Sequence, residues 1–343
     1  DIAQGLLGAE RIGATDSFFA LGGDSILSIQ FASAAKAAGI AVSPRQIFEH
    51  KTIRAIAHAA ESAGIELPNL AEPADARTGS MPLSPVADAL YGLVADPADL
   101  DDFSQTVILH APADLSVEDL GTVLSAVAAA HPLLTARLTS DSSGLHLHLG
   151  TLFDEGAAVS EQDIESAADG AVFDDAITAA HRAALAALSP TTGRMLHAVI
   201  VRGPESACVA LAVHHLAVDA VSWPILIEDL VTAWAQQNAG VTPTPRPEVT
   251  SLRAWTDALH SRTDEYRNET AYWLERLSAA PSLVDPEALD PAAGADRLQR
   301  TLPPELAEAL LTRLPGAYRA TTADILVAAL ARAVNGLRAD SGR

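Results

Sequence analysis

At 343 residues, 49% of them hydrophobic, the chain can bury more than one core, and its length predicts two or three domains. Its 44 acidic side chains against 22 Lys and Arg give a formal net charge of −22, a surface that repels phosphate backbones and anionic lipid and so excludes nucleic acid and membrane as partners. The single cysteine, Cys208, has no mate, no apolar run is long enough to span a bilayer, and Asp1-Ile2-Ala3-Gln4 has no signal-peptide pattern, so disulfide-based extracellular life is excluded and a cytoplasmic location is expected.

In chain order, residues 1–65 read as a compact helical unit. Ile2 to Leu7 reads as the tail of a first helix whose beginning is absent. Gly22 and Gly23 permit a tight turn, Asp24 can cap, and a helix runs from about Ser25 to Ala38 until Gly39 stops it as a left-handed residue. Shorter helices over about Pro44 to Phe48 and Ile53 to Ser62 complete a four-helix bundle.

Gly-Gly-Asp-Ser alone marks only a helix start. Phe18-Phe19 before it, at a spacing that can pin the loop, and Ser43-Pro44-Arg45-Gln46-Ile47-Phe48-Glu49-His50 after it add weight. Together these stretches are similar to a peptidyl carrier domain. The resemblance implies a 4′-phosphopantetheine arm attached covalently to Ser25, with Asp24 beside it, and a phosphopantetheinyl transferase as partner. A phosphodiester there would lie at a helix N-terminus, where free amides and the macrodipole favour an anion. No histidine lies near Ser25 in sequence to activate it, so it reads as an attachment point rather than a nucleophile. Asp24 also resembles carriers that feed epimerization domains; many others have histidine there.

Residues 66–82, rich in Pro, Ala and Gly, read as a linker, which would deliver the tethered arm at high effective concentration. Residues 83–250 then read as an α/β unit and 251–343 as further helices. A helix from Leu83-Ser84-Pro85 to Leu93 precedes an alternating strand, Phe103 to Leu109. Val117 to Ala130 is an amphipathic helix broken by Pro132, with His131 as a helix-end residue, and Leu133 to Leu138 leads into a strand. His146 and His148 share one face of a strand and read as a solvated edge rather than as ligands; no metal site is expected. Asp174 to Leu188 reads as a helix and Gly193 to Val201 as a strand, and a turn at Gly203-Pro204 leads to the next strand.

That strand is the unbroken apolar run Cys208 to Val213, which suits burial on both faces. If it persists through His214 and His215, the two rings point to opposite sides: one is held by packing while the other faces an opening. Trp223, Ile227, Leu230 and Trp234 recur at helical spacing, with Pro224 in the first turn and Asp219 or Ser222 available as the cap. Two adjacent histidines alone read more readily as core or loop residues. The whole string His-His-x-x-x-Asp-x-x-Ser-Trp resembles the core motif of the condensation superfamily of nonribosomal peptide synthetases. Val221-Ser222-Trp223 followed by Ile225-Leu226-Ile227-Glu228-Asp229-Leu230 looks like its epimerization branch, since peptide-bond-forming members usually place the tryptophan before the serine. Phe103-Ser104-Gln105 resembles the family's Phe-Asn-Gln stretch. Departures are Ala220 where glycine is usual, which could tighten or strain the turn, and Val86-Ala87-Asp88 in place of Pro-Ile-Gln.

Beyond it, Asn238 to Thr250 is a proline-rich connector, Trp255 to Leu277 reads as helical, and 279–297 as an acidic loop. Leu302 to Leu314 reads as a helix capped by Pro315-Gly316. Thr322 to Val334 resembles the helix that begins the second lobe in the epimerization branch.

The resemblance implies an all-α carrier bundle, a chloramphenicol acetyltransferase-like α/β sandwich lobe, and the start of a second lobe, with a tunnel for the arm between lobes. It implies L-to-D inversion at the α-carbon of an aminoacyl or peptidyl thioester, with adenylation and condensation domains of the synthetase as neighbours. By motif position His215 is the acid/base, Asp219 orients the turn, and His214 is mainly structural. The second acid/base, a glutamate of the second lobe in the family, has no match here, so the chain alone is expected to invert poorly. Two alternatives stay open: a condensation domain using the same histidine, and a carrier joined to an inert docking lobe.

Overall fold

The carrier helices close around Phe18, whose fully buried ring meets Phe19 edge-on (5.4 Å) and Phe31 at a tilt (5.5 Å). The computed structural model describes residues 1–9, 11–62, 75–142, 144–151, 153–163, 170–203, 207–245, 248, 250–278 and 299–340. The carrier helices are α1 (Ile2–Leu7), α2 (Ser25–Ala37), α3 (Pro44–His50) and α4 (Ile53–Ser62). Local chemistry sets their ends. Gly39 takes φ +79 after α2, and Ser43 with Gln46 forms a reciprocal capping box on α3. The turn before α2 needs both its glycines: Gly22 sits at φ +100, and a Cβ on Gly23 would lie 2.4 Å from the Phe18 ring.

Residues after the linker form β1 (Gly79–Pro82), α5 (Pro85–Tyr91), β2 (Ser104–Ala111), α6 (Val117–Ala130), β3 (Arg137–Asp141), β4 (Gly144–Leu149), α7 (Glu155–Ala158), β5 (Val159–Asp163), α8 (Gly170–Ala186), β6 (Leu196–Arg202), β7 (Ala207–His214), α9 (Ser222–Asn238) and α10 (Leu252–Ser261). One antiparallel sheet runs β1-β4-β3; the other runs β2-β7-β6-β5, with only β5 and β6 parallel. Every residue of β7 is buried. Val209, Leu211 and Val213 share a core with α6 and α9, while Ala210 and Ala212 share one with α8. The small alanines let α8 approach closely, and the larger side chains fill the other side.

Several expectations change. Gly79–Pro82 is not linker but β1, paired with β4. The chain just before it is anchored: Arg253 of α10 donates to the carbonyls of Asp75 (2.9 Å) and Thr78, and Arg77 donates to the Ala129 and Ala130 carbonyls at the end of α6. Those carbonyls have no partner within the helix, so the guanidinium satisfies them where the helix dipole is negative. His146 and His148 lie on the central strand of their sheet, not on an edge; the face is solvated at His148, and His146 pairs with Asp141 at 3.3 Å. Strand β5 was not expected, because Val-Ser-Glu-Gln-Asp has almost no apolar signal and is held by parallel pairing to β6. The proposed turn residue Pro204, the linker part 66–74 and the acidic loop at 279–297 lie outside the described residues.

The helix expected over Trp255 to Leu277 is three: α10, which starts earlier because the Ser251 hydroxyl caps it, α11 (Thr263–Arg267) and α12 (Thr270–Ser278). Around Arg262, Ser261 and Thr263 hydroxyls donate to the Ala258 and His260 carbonyls and so compete with the ladder. The second unit, Asp264–Arg343, carries α11 almost whole, α12, then α13 (Pro304–Glu308), a π-turn over Ala309–Arg313, α14 (Leu314–Tyr318) and α15 (Thr322–Asp340). Pro315-Gly316 does not cap: the wider π-turn absorbs the missing proline N–H, the helix continues, and it ends at left-handed Arg319 (φ 50).

His131, expected as a plain helix-end residue, is a clamp. It caps α6, and its Nε2 lies 2.7 Å from the Asp229 carboxylate of α9 while Nδ1 lies 3.2 Å from that of Glu248 in the connector. Burial alone pushes the imidazole down, but hydrogen bonds to both carboxylates and their charge outweigh it and hold it above its ordinary value of 6.5.

Two outcomes follow from this packing. Gly23→Ala should destabilise the carrier by about 1–3 kcal/mol through overpacking against Phe18, read as faster amide hydrogen exchange across residues 1–62 with the lobe unchanged. Because folded His131 keeps its proton more tightly than the unfolded chain, its contribution is full below about pH 6.5 and lost as pH rises through the higher folded value. Urea denaturation of His131→Gln should therefore be less stable at low pH and show a flatter decline above about pH 6.5 than the parent.

Candidate active site

Strand pairing continues one residue past β7, since the His215 N–H donates to the Phe103 carbonyl at 2.9 Å. The alternation therefore holds through both histidines. His214 falls on the α8 side and is fully buried; its Nδ1 accepts the Leu216 N–H at 3.1 Å, so its Nε2–H donates to the Leu100 carbonyl at 2.7 Å. Burial pushes its imidazole below the ordinary range, against the pull of the Leu100 carbonyl and the Asp101 charge. A neutral ring with both nitrogens committed locks the strand end to the segment ahead of β2.

His215 falls on the α9 side and is half-buried. Its ring stacks on Phe103, with centroids 4.9 Å apart and planes 12° apart. Its Nε2 lies 3.2 Å from Gln105 Nε2, and Gln105 Oε1 accepts the Trp223 indole N–H at 2.7 Å. Gln105 pairs with Val213 across β2 and β7, so it shares the His215 face, and Trp223 is buried in the first turn of α9. Phe103, Gln105 and Trp223 thus hold the ring from three sides. The sequence noted Phe103 and Gln105 only as part of a stretch; their use depends on pairing between strands about 110 positions apart.

Asp219 does not reach the ring through any hydrogen bond among the described residues. Its carboxylate accepts from the Val221 N–H (3.0 Å), the Ser222 N–H (2.8 Å) and the Ser222 hydroxyl (2.7 Å), tying the loop to the start of α9. Burial pushes this carboxyl up, but the Ser222 and Val221 donors, together with His215, outweigh it and hold it below the usual range. Ala220 is unstrained: the only non-glycine residues with positive φ among those described are Lys51 and Arg319. Pro224 lies in the first turn of α9, where its missing N–H costs nothing.

In the carrier, Ser25 is exposed as the first residue of α2. Asp24 Oδ1 accepts the Leu27 N–H at 2.7 Å and the Asp24 carbonyl accepts from Ser28, so Asp24 is the cap. The amides of Ser25 and Ile26 have no acceptor among the described residues. The Ser25 side chain is exposed to solvent, beside backbone amides of the kind that bind anions at a helix start.

Two cavities lie elsewhere. One of about 690 Å³ opens on the carrier beside Thr52, Arg54 and His58; an apolar one of about 230 Å³ lies between α6 and α9 at the opposite end of the sheet, beside Leu109, Leu120 and Trp234. Neither includes His215. Among the described residues no group of three or more His, Cys, Asp or Glu is placed to hold a metal ion, and no helix is long and apolar enough to cross a membrane.

Comparisons with known proteins identify both parts of the chain. Residues 1–60 match the family described as phosphopantetheine attachment site, and residues 80–337 match the condensation domain. Chondramide synthase cmdD of Chondromyces crocatus is 32% identical over 346 residues, spanning 98% of this chain and 9% of that protein. One of the linear gramicidin synthase proteins of Brevibacillus parabrevis is 33% identical over 340 residues, spanning 97% of this chain and 6% of that one. The chain therefore spans less than a tenth of these relatives. The epimerization domain from the third module of tyrocidine synthetase B shares the fold with a TM-score of 0.61 at 21% identity, over 76% of this chain and 59% of that one. The X-domain from teicoplanin biosynthesis does so with 0.58 at 19%, over 78% and 59%. With a phosphopantetheine attachment domain ahead of an α/β lobe that presents a histidine at its sheet end, the chain belongs to the condensation-domain family, in the arrangement of nonribosomal peptide synthetases.

Proposed function

We propose that Ser25 carries the 4′-phosphopantetheine arm and that the lobe epimerizes the aminoacyl or peptidyl thioester on it, L to D, with His215 as acid/base. The observation that carries this reading is the half-buried His215 ring, fixed by Phe103 stacking and the Gln105 contact at the end of a fully buried strand. The epimerization branch is supported by Ser222 preceding Trp223, by the Glu228-Asp229-Leu230 continuation, and by Asp24 before Ser25. In this reading the proteins that serve the chain are a phosphopantetheinyl transferase and neighbouring adenylation and condensation domains, in the cytoplasm. In this reading residues 1–65 act as carrier, the stretch ahead of β1 as linker, β1 through residue 250 as the first lobe, and 251–343 as connecting helices and part of the second.

The arm supplies a thioester, whose sulfur makes the α-proton more acidic than an amide would. A neutral imidazole suits that proton at physiological pH, worth roughly 10²–10⁴-fold when well placed. Rigid support from the sheet end means that His215 is positioned before the acyl group arrives. Asp219 acts at a distance, by holding the loop after the histidines to the start of α9. His214 holds the strand end and needs no substrate contact.

Mass spectrometry after treatment with a competent transferase should show phosphopantetheine gain on the parent and none on Ser25→Ala. With Ser25 loaded with an aminoacyl-pantetheine in D₂O, in a chain extended to the length of the solved epimerization domain, of which the present one covers 59%, deuterium should enter the α-carbon and the released acid should contain the D-isomer. His215→Ala should lower that exchange by roughly 10²–10⁴-fold. A chain-extended product on adding a donor carrier would favour condensation instead, and exchange unchanged by His215→Ala would favour an inert lobe.

A further inference from the structure

Gln105 stands between one side chain whose hydrogen-bonding role is fixed and another whose role depends on its tautomer. The Trp223 indole Nε1 is a donor only, and it lies 2.7 Å from Gln105 Oε1. That contact identifies the amide oxygen and turns the NH₂ group toward His215, whose Nε2 is 3.2 Å away. An amide NH₂ only donates, so His215 Nε2 must accept. We propose that Gln105 is a positioning residue that sets the His215 tautomer, with the lone pair on Nε2 and the proton on Nδ1, and that Trp223 sets Gln105. As a statement about proton placement it stands by itself; its meaning for the reaction rests on the reading of His215 as the acid/base.

The surrounding elements agree. Gln105 and His215 share the α9 face of the sheet, Phe103 stacks on the ring, and the His215 N–H is bound to the Phe103 carbonyl, which leaves the imidazole little freedom to turn. Trp223 is buried in α9, so its N–H would lose a partner if Gln105 flipped. Of the ionisable groups in the same turn, Asp219 has its carboxylate taken by Ser222 and Val221, and His214 has both ring nitrogens bound on the other side of the strand. Neither contacts the ring by a hydrogen bond among the described residues. Tautomer control therefore comes from an uncharged amide rather than from a carboxylate on the far nitrogen.

The consequence is directional. Nε2 is kept ready to receive a proton, and the bond that keeps it so is at the long end of the hydrogen-bond range, weak enough for a reacting group to displace. Once Nε2 is protonated it faces another donor, so the ring is disposed to hand the proton back. A glutamate at 105 would reverse this: it still accepts from Trp223 but offers Nε2 an acceptor, favouring Nε2–H and the charged ring.

Two-bond ¹H–¹⁵N correlation on the selectively labelled 343-residue chain reads the tautomer directly. At high pH the parent should show His215 as the Nδ1–H form. Gln105→Glu should convert it to Nε2–H; Trp223→Phe, which frees the amide to flip, should give a mixture. If Gln105→Glu fails to fold, Trp223→Phe still decides. A parent ring in the Nε2–H form, or one whose nitrogens do not respond to either change, would overturn the proposal. The two readings separate cleanly: the parent tautomer can be found as stated while His215→Ala leaves α-proton exchange untouched, which would remove the acid/base role and keep the positioning. If both hold, Gln105→Glu should also move the acid limb of the exchange pH profile upward, a change that simple loss of packing would not cause.

Discussion

Strand β7 is covered on both sides, and that double burial decides where the two histidines go. A strand with one solvated face could slip by two residues or fray at its end; this one is held by α6 and α9 on one side and α8 on the other, with β2 and β6 at its flanks. Pleating then sends His214 into the interior and His215 outward with no freedom to exchange roles. The interior ring, locked between a carbonyl and an amide, stiffens the platform on which the outer ring stands. Site geometry here is a by-product of core packing.

The same logic links the parts around it. Trp223 reaches Gln105 only because α9 begins close to the strand end, and α9 begins there because Asp219 ties the loop to Ser222. Further along α9, Asp229 meets His131 at the end of α6, so the helix that positions the indole is itself fastened by a charged clamp. The acidic Glu-Asp-Leu run thus has a structural task in this chain, whatever else it distinguishes among related lobes.

What could be read from sequence was local. Caps, glycine stops and the apolar run of β7 announce themselves within a few residues: Asp24, Gly39, Cys208 to Val213. The all-apolar strand and the opposed histidines follow from that run alone. Strand β5, the central place of β4 in its sheet and the Gln105 contact do not, because each is settled by a partner far along the chain. Gly23 shows the boundary well. A second glycine in a turn suggests flexibility, but its reason is the Phe18 ring against its α-carbon, which only packing reveals. Likewise Pro315-Gly316 reads as a stop until a π-turn is seen to accommodate it.

The chain has one cysteine, and it sits 1% exposed in the central strand, hydrogen-bonded toward His110 at 3.6 Å, with burial pushing its thiol up. Thiolate is the reactive form, so in the native fold Cys208 is doubly withheld from electrophiles. Within these 343 residues the buried thiol should react slowly with maleimides and iodoacetamide, so rapid alkylation of the folded chain would report a sulfhydryl carried on an attached arm. Dye labelling of the folded 343-residue chain should then count occupied arms against a low background from Cys208.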